Sequence, residues 1–154
     1  MDQGYLFEGT LAEGFVTTRT LYWADYDIPG YIGYLPSNET IYVVMRATIS
    51  DLNEQLDRMM KKVPYTKWPE CEGCKVHEGF YSAVGALNDE TTAEVKRLQE
   101  LNPTFSVRVT GHSLGASLAQ LMGMALIKDG VANVGAITFA PLSVGNKKYK
   151  NFSD

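Results

Sequence analysis

Three observations predict an α/β fold with a mostly parallel sheet and flanking helices. Two apolar, β-rich runs lie early in the chain, at residues 31–35 and 41–46. From residue 80 onward a long helical pattern, a short strand, a second helix and a further strand follow one another with short links. The middle strand of that series ends in a tight glycine-flanked turn, Gly111-His112-Ser113-Leu114-Gly115. Strands that alternate with helices in this way are joined by right-handed crossovers into a parallel sheet.

Taken in order, residues 1–20 carry no periodicity and stay unassigned. Residues 31–35 and 41–46 are separated by Pro36-Ser37-Asn38-Glu39, all turn formers, and read as a hairpin. The second run is apolar almost throughout, which suits a strand buried on both faces. After Thr48 the period changes. Leu52, Leu56, Met59, Met60 and Val63 recur at helical spacing, with Asp51 and Glu54 as a capping box and Pro64 as the stop. Two readings of this 51–64 segment stay open: a surface helix whose stripe joins the core, or a methionine-lined cover over a lipophilic site.

Phe80, Val84, Leu87, Thr91, Val95 and Leu98 mark a long helix that Pro103 ends. Residues 105–109 form the next strand. Residues 114–128 form a helix whose buried side is Leu118, Leu121, Met122, Ala125 and Leu126, with Gly130 just past its end. A last strand spans residues 134–139. Repeats and low-complexity tracts are absent, so residues 1–154 read as a single domain.

At 154 residues and 45% hydrophobic content, the chain can bury a real core. A net charge of −4 gives no electrostatic reason to expect nucleic acid or an anionic membrane surface. No apolar run approaches the roughly 18 residues of a membrane span, and the first residues lack a leader pattern. Two features nevertheless point to an exporting pathway. Asn38-Glu39-Thr40 and Asn151-Phe152-Ser153 are N-glycosylation sequons, a triplet that also arises by chance. The only cysteines, Cys71 and Cys74, sit in a Pro- and Gly-rich loop. A short-loop disulfide suits that setting best, ahead of two free thiols and of zinc, which lacks a second ligand pair. A thiol-redox role needs the pair to open a helix, which this loop does not.

The turn at 111–115 is a G-x-S-x-G nucleophile elbow. Val107 and Val109 point inward and Arg108 and Thr110 outward, and the chain then turns so sharply that Gly111 and Gly115 must lack side chains. Ala116 and Ala119 let the following helix approach the sheet closely. Ser113 is the candidate catalytic nucleophile, at the positive end of that helix. One oxyanion donor is the N–H of Leu114, and a second is expected from residues 46–48, at the end of the buried strand. A serine hydroxyl also needs a histidine base held by a carboxylate. Downstream of Ser113 lie only Asp129 and Asp154 and no histidine. His112 adjoins the serine and faces away from it, while His77, at a helix start, suits packing and a backbone hydrogen bond.

In four ordered stretches the chain resembles the class 3 (fungal-type) lipases and the related feruloyl esterases. Residues 41–48 (Ile-Tyr-Val-Val-Met-Arg-Ala-Thr) look like the strand ending in the family's R-G-[ST] oxyanion element. Residues 71–80 (Cys-Glu-Gly-Cys-Lys-Val-His-Glu-Gly-Phe) are similar to its C-x-x-C-x-V-H-x-G-[FY] segment. Residues 109–116 match the elbow, and residues 139–146 resemble F-G-x-P-R-V-G-N. The resemblance implies an α/β-hydrolase fold and hydrolysis of lipid or other carboxylic esters through an acyl-enzyme, without metal or organic cofactor. It assigns Ser113 as nucleophile and Thr48 and the Leu114 N–H as oxyanion donors, bridges Cys71 to Cys74, and makes 51–64 the lid, with transient contact at a lipid interface. Secretion follows from the same resemblance. Ala47 stands where the family has glycine, Leu142-Ser143 where it has arginine, and the triad aspartate and histidine are expected beyond Asp154. Little turnover is therefore expected of these 154 residues alone. The rival is a non-catalytic lipase-like binding module that keeps the elbow for structure. Acyl preference and oligomeric state are not legible.

Overall fold

The hairpin expected at 31–46 forms two of the three strands in the antiparallel half of a mixed sheet. In the computed structural model, which describes residues 9–46 and 61–154, the elements run β1 (Val16–Trp23), β2 (Ile28–Leu35), β3 (Thr40–Met45), β4 (Lys62–Pro64), β5 (Lys75–His77), α1 (Glu78–Leu101), β6 (Ser106–His112), α2 (Leu114–Lys128), β7 (Val134–Phe139) and α3 (Lys147–Ser153). Five strands make the main sheet in the order β1-β2-β3-β6-β7, and β4 and β5 make a small antiparallel ribbon. Strands β1, β2 and β3 pair antiparallel, whereas β3, β6 and β7 pair parallel.

The parallel half is built as the alternation of patterns demands. The two crossovers step across the sheet in the same direction, so crossovers of one hand put α1 and α2 on the same face, where the two helices pack on each other. Under them the inward residues Ile41, Val43, Val107 and Val109 are fully buried. Ala116 and Ala119 are also fully buried, which lets α2 lie close on the strands. Helix α1 ends at Leu101, two residues before Pro103, and the Asn102 side chain donates to the Leu98 carbonyl to close it. Helix α2 keeps its expected bounds, and Gly130 follows it with φ +83°, the left-handed position that favours glycine.

Four features depart from the sequence reading. A strand, β1, occupies Val16–Trp23, mostly within the unassigned residues. Strand β3 is fully buried on one face only: Tyr42 and Val44, on the other, are only partly buried, because both long helices lie on the opposite side. Val63, assigned to the end of a helical stripe, instead pairs with Val76 in the β4–β5 ribbon; the rest of that stripe, Leu52 to Met60, lies outside the described residues. A short helix, α3, follows the last strand where none was assigned.

Polar contacts tie the layers together. Arg97 grips the buried carboxylate of Glu94 through Nε at 2.9 Å and Nη2 at 2.8 Å, and this pairing holds the Glu94 carboxyl below its ordinary range. Trp68 anchors the loop between β4 and β5: its Nε1 donates to the Met124 carbonyl, its ring meets Phe152 edge-on, and Lys128 lies 4.7 Å over its face. That loop carries the Cys71–Cys74 disulfide.

Candidate active site

Strand β6 lies between β3 and β7, and its last residues bring the chain to the carboxyl edge of the parallel strands. There Ser113 adopts φ 55° and ψ −122°, a backbone conformation strongly disfavoured for a residue with a side chain. The surroundings enforce it. The Ser113 N–H donates to the Phe139 carbonyl at 2.9 Å, tying the turn to the end of β7. The Ser113 carbonyl accepts from the N–H groups of Ala116 and Ser117, starting α2. A Cβ at Gly111 would collide with the Gly115 carbonyl and stand 2.6 Å from the Met45 carbonyl oxygen. The two flanking glycines thus let strand and helix meet backbone to backbone. Leu114 is the first residue of α2, so its N–H has no acceptor one turn earlier in the helix.

Thr48 and Ala47 lie outside the described residues. Strand β3 leads to them: Met45 pairs with Gly111, so residue 46 leaves the sheet beside the elbow. His112 ends β6, exposed, in register with Phe139. His77 makes the contacts its position suggested, its ring edge-on to Phe80 and its backbone N–H donating to the Val144 carbonyl.

Asp129 closes the far end of α2, a helix of 15 residues, and so sits roughly 22 Å from the elbow along the axis. It has other partners: Lys67 Nζ at 2.7 Å, Asn88 Nδ2 at 2.6 Å and Thr92 Oγ1 at 3.3 Å. Burial opposes its ionisation, but these donors outweigh burial and hold the carboxyl below its usual range. Asp129 is a structural carboxylate that joins α1, α2 and the β4–β5 loop.

Two residues support the elbow from further off: Ser117, which no motif marked, and Asn146, whose stretch was marked only by family resemblance and without a role. Ser117, fully buried one turn into α2, accepts from the Leu142 N–H at 2.9 Å and donates to the Leu142 carbonyl at 3.1 Å. It thereby fastens the chain leaving β7. Asn146, in the V-G-N stretch, accepts from the N–H groups of Lys75 and Tyr149 and donates to the Gly73 carbonyl. It caps α3 and clamps the disulfide loop. Gly145 beside it has no room for a side chain, since a Cβ would run into the Lys75 carbonyl and the Tyr149 ring.

A cleft of about 660 Å³ among the described residues does not include the elbow. It lies among α2, β7 and α3, beside the outermost of the described strands, where Leu142, Val144 and Tyr149 line it. Among the described residues no cluster of His, Cys, Asp or Glu could hold a metal ion, and no helix is long and apolar enough to cross a membrane.

A mixed sheet with helices packed on it, and a strained serine at the strand-to-helix turn, defines an α/β-hydrolase. The chain belongs to the class 3 lipase family, whose sequence model matches residues 42–154. It is 32% identical over 131 residues to a lipase of Rhizomucor miehei, covering 82% of this chain and 35% of that protein. It is 30% identical over 120 residues to the secreted mono- and diacylglycerol lipase A of Penicillium camembertii, covering 78% of this chain and 38% of that one. The structure matches the crystal structure of a lipase from Rhizopus microsporus var. chinensis with a TM-score of 0.82 at 28% identity, over 91% of this chain and 49% of the other. It also matches, with a TM-score of 0.81 at 30% identity over 92% and 54%, a triacylglycerol lipase whose catalytic centre is formed by a serine protease triad. The chain spans about a third of the length of these curated relatives.

Proposed function

We propose that this chain carries the nucleophilic half of a secreted carboxylic ester hydrolase acting on lipid esters. Ser113 attacks the ester carbonyl, and the N–H of Leu114 together with Thr48 holds the oxyanion. The observation that carries this reading is the disfavoured backbone of Ser113, maintained where Gly111 and Gly115 touch; an ordinary turn serine has no reason to be held so. The triad in the related triacylglycerol lipase supports the same role. Asp129, engaged at the far end of α2, is not its acid. The histidine base and its carboxylate come from outside these 154 residues, and the part of the 51–64 segment that precedes β4 acts as the lid at a lipid interface. The disulfide and the secreted Penicillium relative support export.

A fluorophosphonate probe tests the nucleophile on a chain long enough to supply the base that activates it. Ser113 should label and Ser113→Ala should not, and with the triad complete, p-nitrophenyl ester hydrolysis should vanish in the same variant. Hydrolysis that survives Ser113→Ala would refute the assignment. A full-length chain that folds, yet neither labels nor hydrolyses, would support the rival non-catalytic reading instead.

A further inference from the structure

Two sequons stand in the chain, and the structure separates them. Asn38 ends the short turn Pro36–Asn38 between β2 and β3 and is exposed. Glu39 follows in the left-handed conformation, φ 51° and ψ 47°, and the chain then enters β3. This tight turn brings the sequon hydroxyl back to the asparagine's main chain: Thr40 Oγ1 donates to the Asn38 backbone carbonyl at 3.0 Å. Asn151 lies inside α3, Lys147–Ser153. Side chains two apart on a helix point to different faces. The Ser153 hydroxyl donates to the Lys150 carbonyl, and Phe152, between the two, packs against Trp68.

We infer that Asn38 is the N-glycosylation acceptor of this chain and that Asn151 is not modified. In the transfer, Asn38 Nδ2 bonds to the anomeric carbon of a lipid-pyrophosphate-linked oligosaccharide. The bond from that carbon to the pyrophosphate oxygen breaks and its electron pair leaves with the lipid pyrophosphate. The amide proton passes to a base of the transferase.

Timing and space both permit it. In the folded protein Thr40 is buried and its hydroxyl shares a hydrogen bond with Ser106 at 3.2 Å, 66 residues further along. During synthesis this sequon emerges long before Ser106 can cover it, whereas the partners that hold α3, Trp68 and Gly73, are already made when Asn151 emerges. Afterwards the sugar projects into solvent. Asn38 Nδ2 carries two hydrogens, so the one left after transfer can keep the 2.8 Å bond to the Tyr42 hydroxyl. The turn also lies at the opposite end of the parallel strands from the elbow: Thr40 pairs with Ser106 and Met45 with Gly111. Five residue steps at ~3.3 Å separate these pairs by ~17 Å, so a glycan there leaves the face around Ser113 open.

The inference rests on the export reading, and the test keeps the two apart. The chain is produced behind a heterologous leader in a eukaryotic host, and secreted and cell-retained protein are pooled. Wild type and Asn151→Gln should show one discrete, endoglycosidase-sensitive mobility shift, absent from Asn38→Gln. Enzymatic deglycosylation in heavy-oxygen water should mark residue 38 directly as aspartate, with no substitution and hence no mutational effect on folding. An unmodified wild-type chain, or a mark at residue 151, overturns the inference. Export is read separately, by thiol alkylation of the protein from its own cells. Freely alkylated Cys71 and Cys74 would sink export while leaving the acceptor result intact.

Discussion

The Gly115 carbonyl fills the space a Cβ on Gly111 would need, so the last strand residues and the first turn of α2 touch through backbone alone. That contact explains why the serine between them is pressed into φ 55°, ψ −122°. The elbow is thus a consequence of close packing by two glycines, a local strain held in place by the Ser113–Phe139 hydrogen bond and by the start of the helix.

Relieving the strain should stabilise the protein. Ser113→Gly accepts the positive φ freely, whereas Ser113→Ala does not. Denaturant titration should find the glycine variant more stable than the alanine variant by ~1 kcal/mol or more, although both lack the nucleophile. Gly111→Ala should do the reverse and cost at least the ~1–3 kcal/mol typical of overpacking, because backbone rather than a flexible side chain blocks the new methyl.

Ser117→Ala should destabilise by ~1–3 kcal/mol, the cost of leaving buried polar groups without a partner. The serine answers both the N–H and the carbonyl of Leu142. Denaturation midpoints measure the loss. Ser117→Cys, similar in shape but a weak hydrogen-bonding group, should recover only part of it.

What was legible in the sequence follows from how local each signal was. Helix α2 and strand β7 carry their own periodicity and their own stops, and both have the expected bounds. Strand β1 escaped because a register shift between Thr17 and Arg19 breaks the two-residue alternation just where the strand begins. Helix α3 buries only Tyr149 among its seven residues, too little for a stripe. The elbow was readable because it is a contact between residues four apart. Ser117, Trp68 and Asn146 work through Leu142, Met124 and Gly73, partners far along the chain, and no spacing announces such a pairing.

The sheet face opposite the helices should bind apolar probes. Ile137 and Phe139 are 45% and 58% exposed there, in register with Thr110 and His112, and β7 is the outermost strand among the described residues. Produced as these 154 residues, the chain should enhance ANS fluorescence and self-associate with concentration. Ile137→Lys with Phe139→Lys should lower both signals in fluorescence and light scattering. No change would mean that this face is already covered in solution.

The Asp129 cluster predicts how stability responds to acid. Lys67, Asn88 and Thr92 hold the folded carboxyl below its unfolded value against the opposing effect of burial. A folded pKa below the unfolded one adds stability at pH values above the unfolded value, about 3.9 for an aspartate. That stability drains away as pH falls through the folded pKa. Wild type should therefore exceed Asp129→Asn in stability near neutral pH, and the gap should narrow once pH drops below about 4. The side chain is only 24% exposed, so moderate salt should reduce the neutral-pH gap only partly. Denaturant titrations of both proteins from neutral pH downward measure it. A gap that stays constant with pH would mean that the Asp129 contacts act through shape and not through charge.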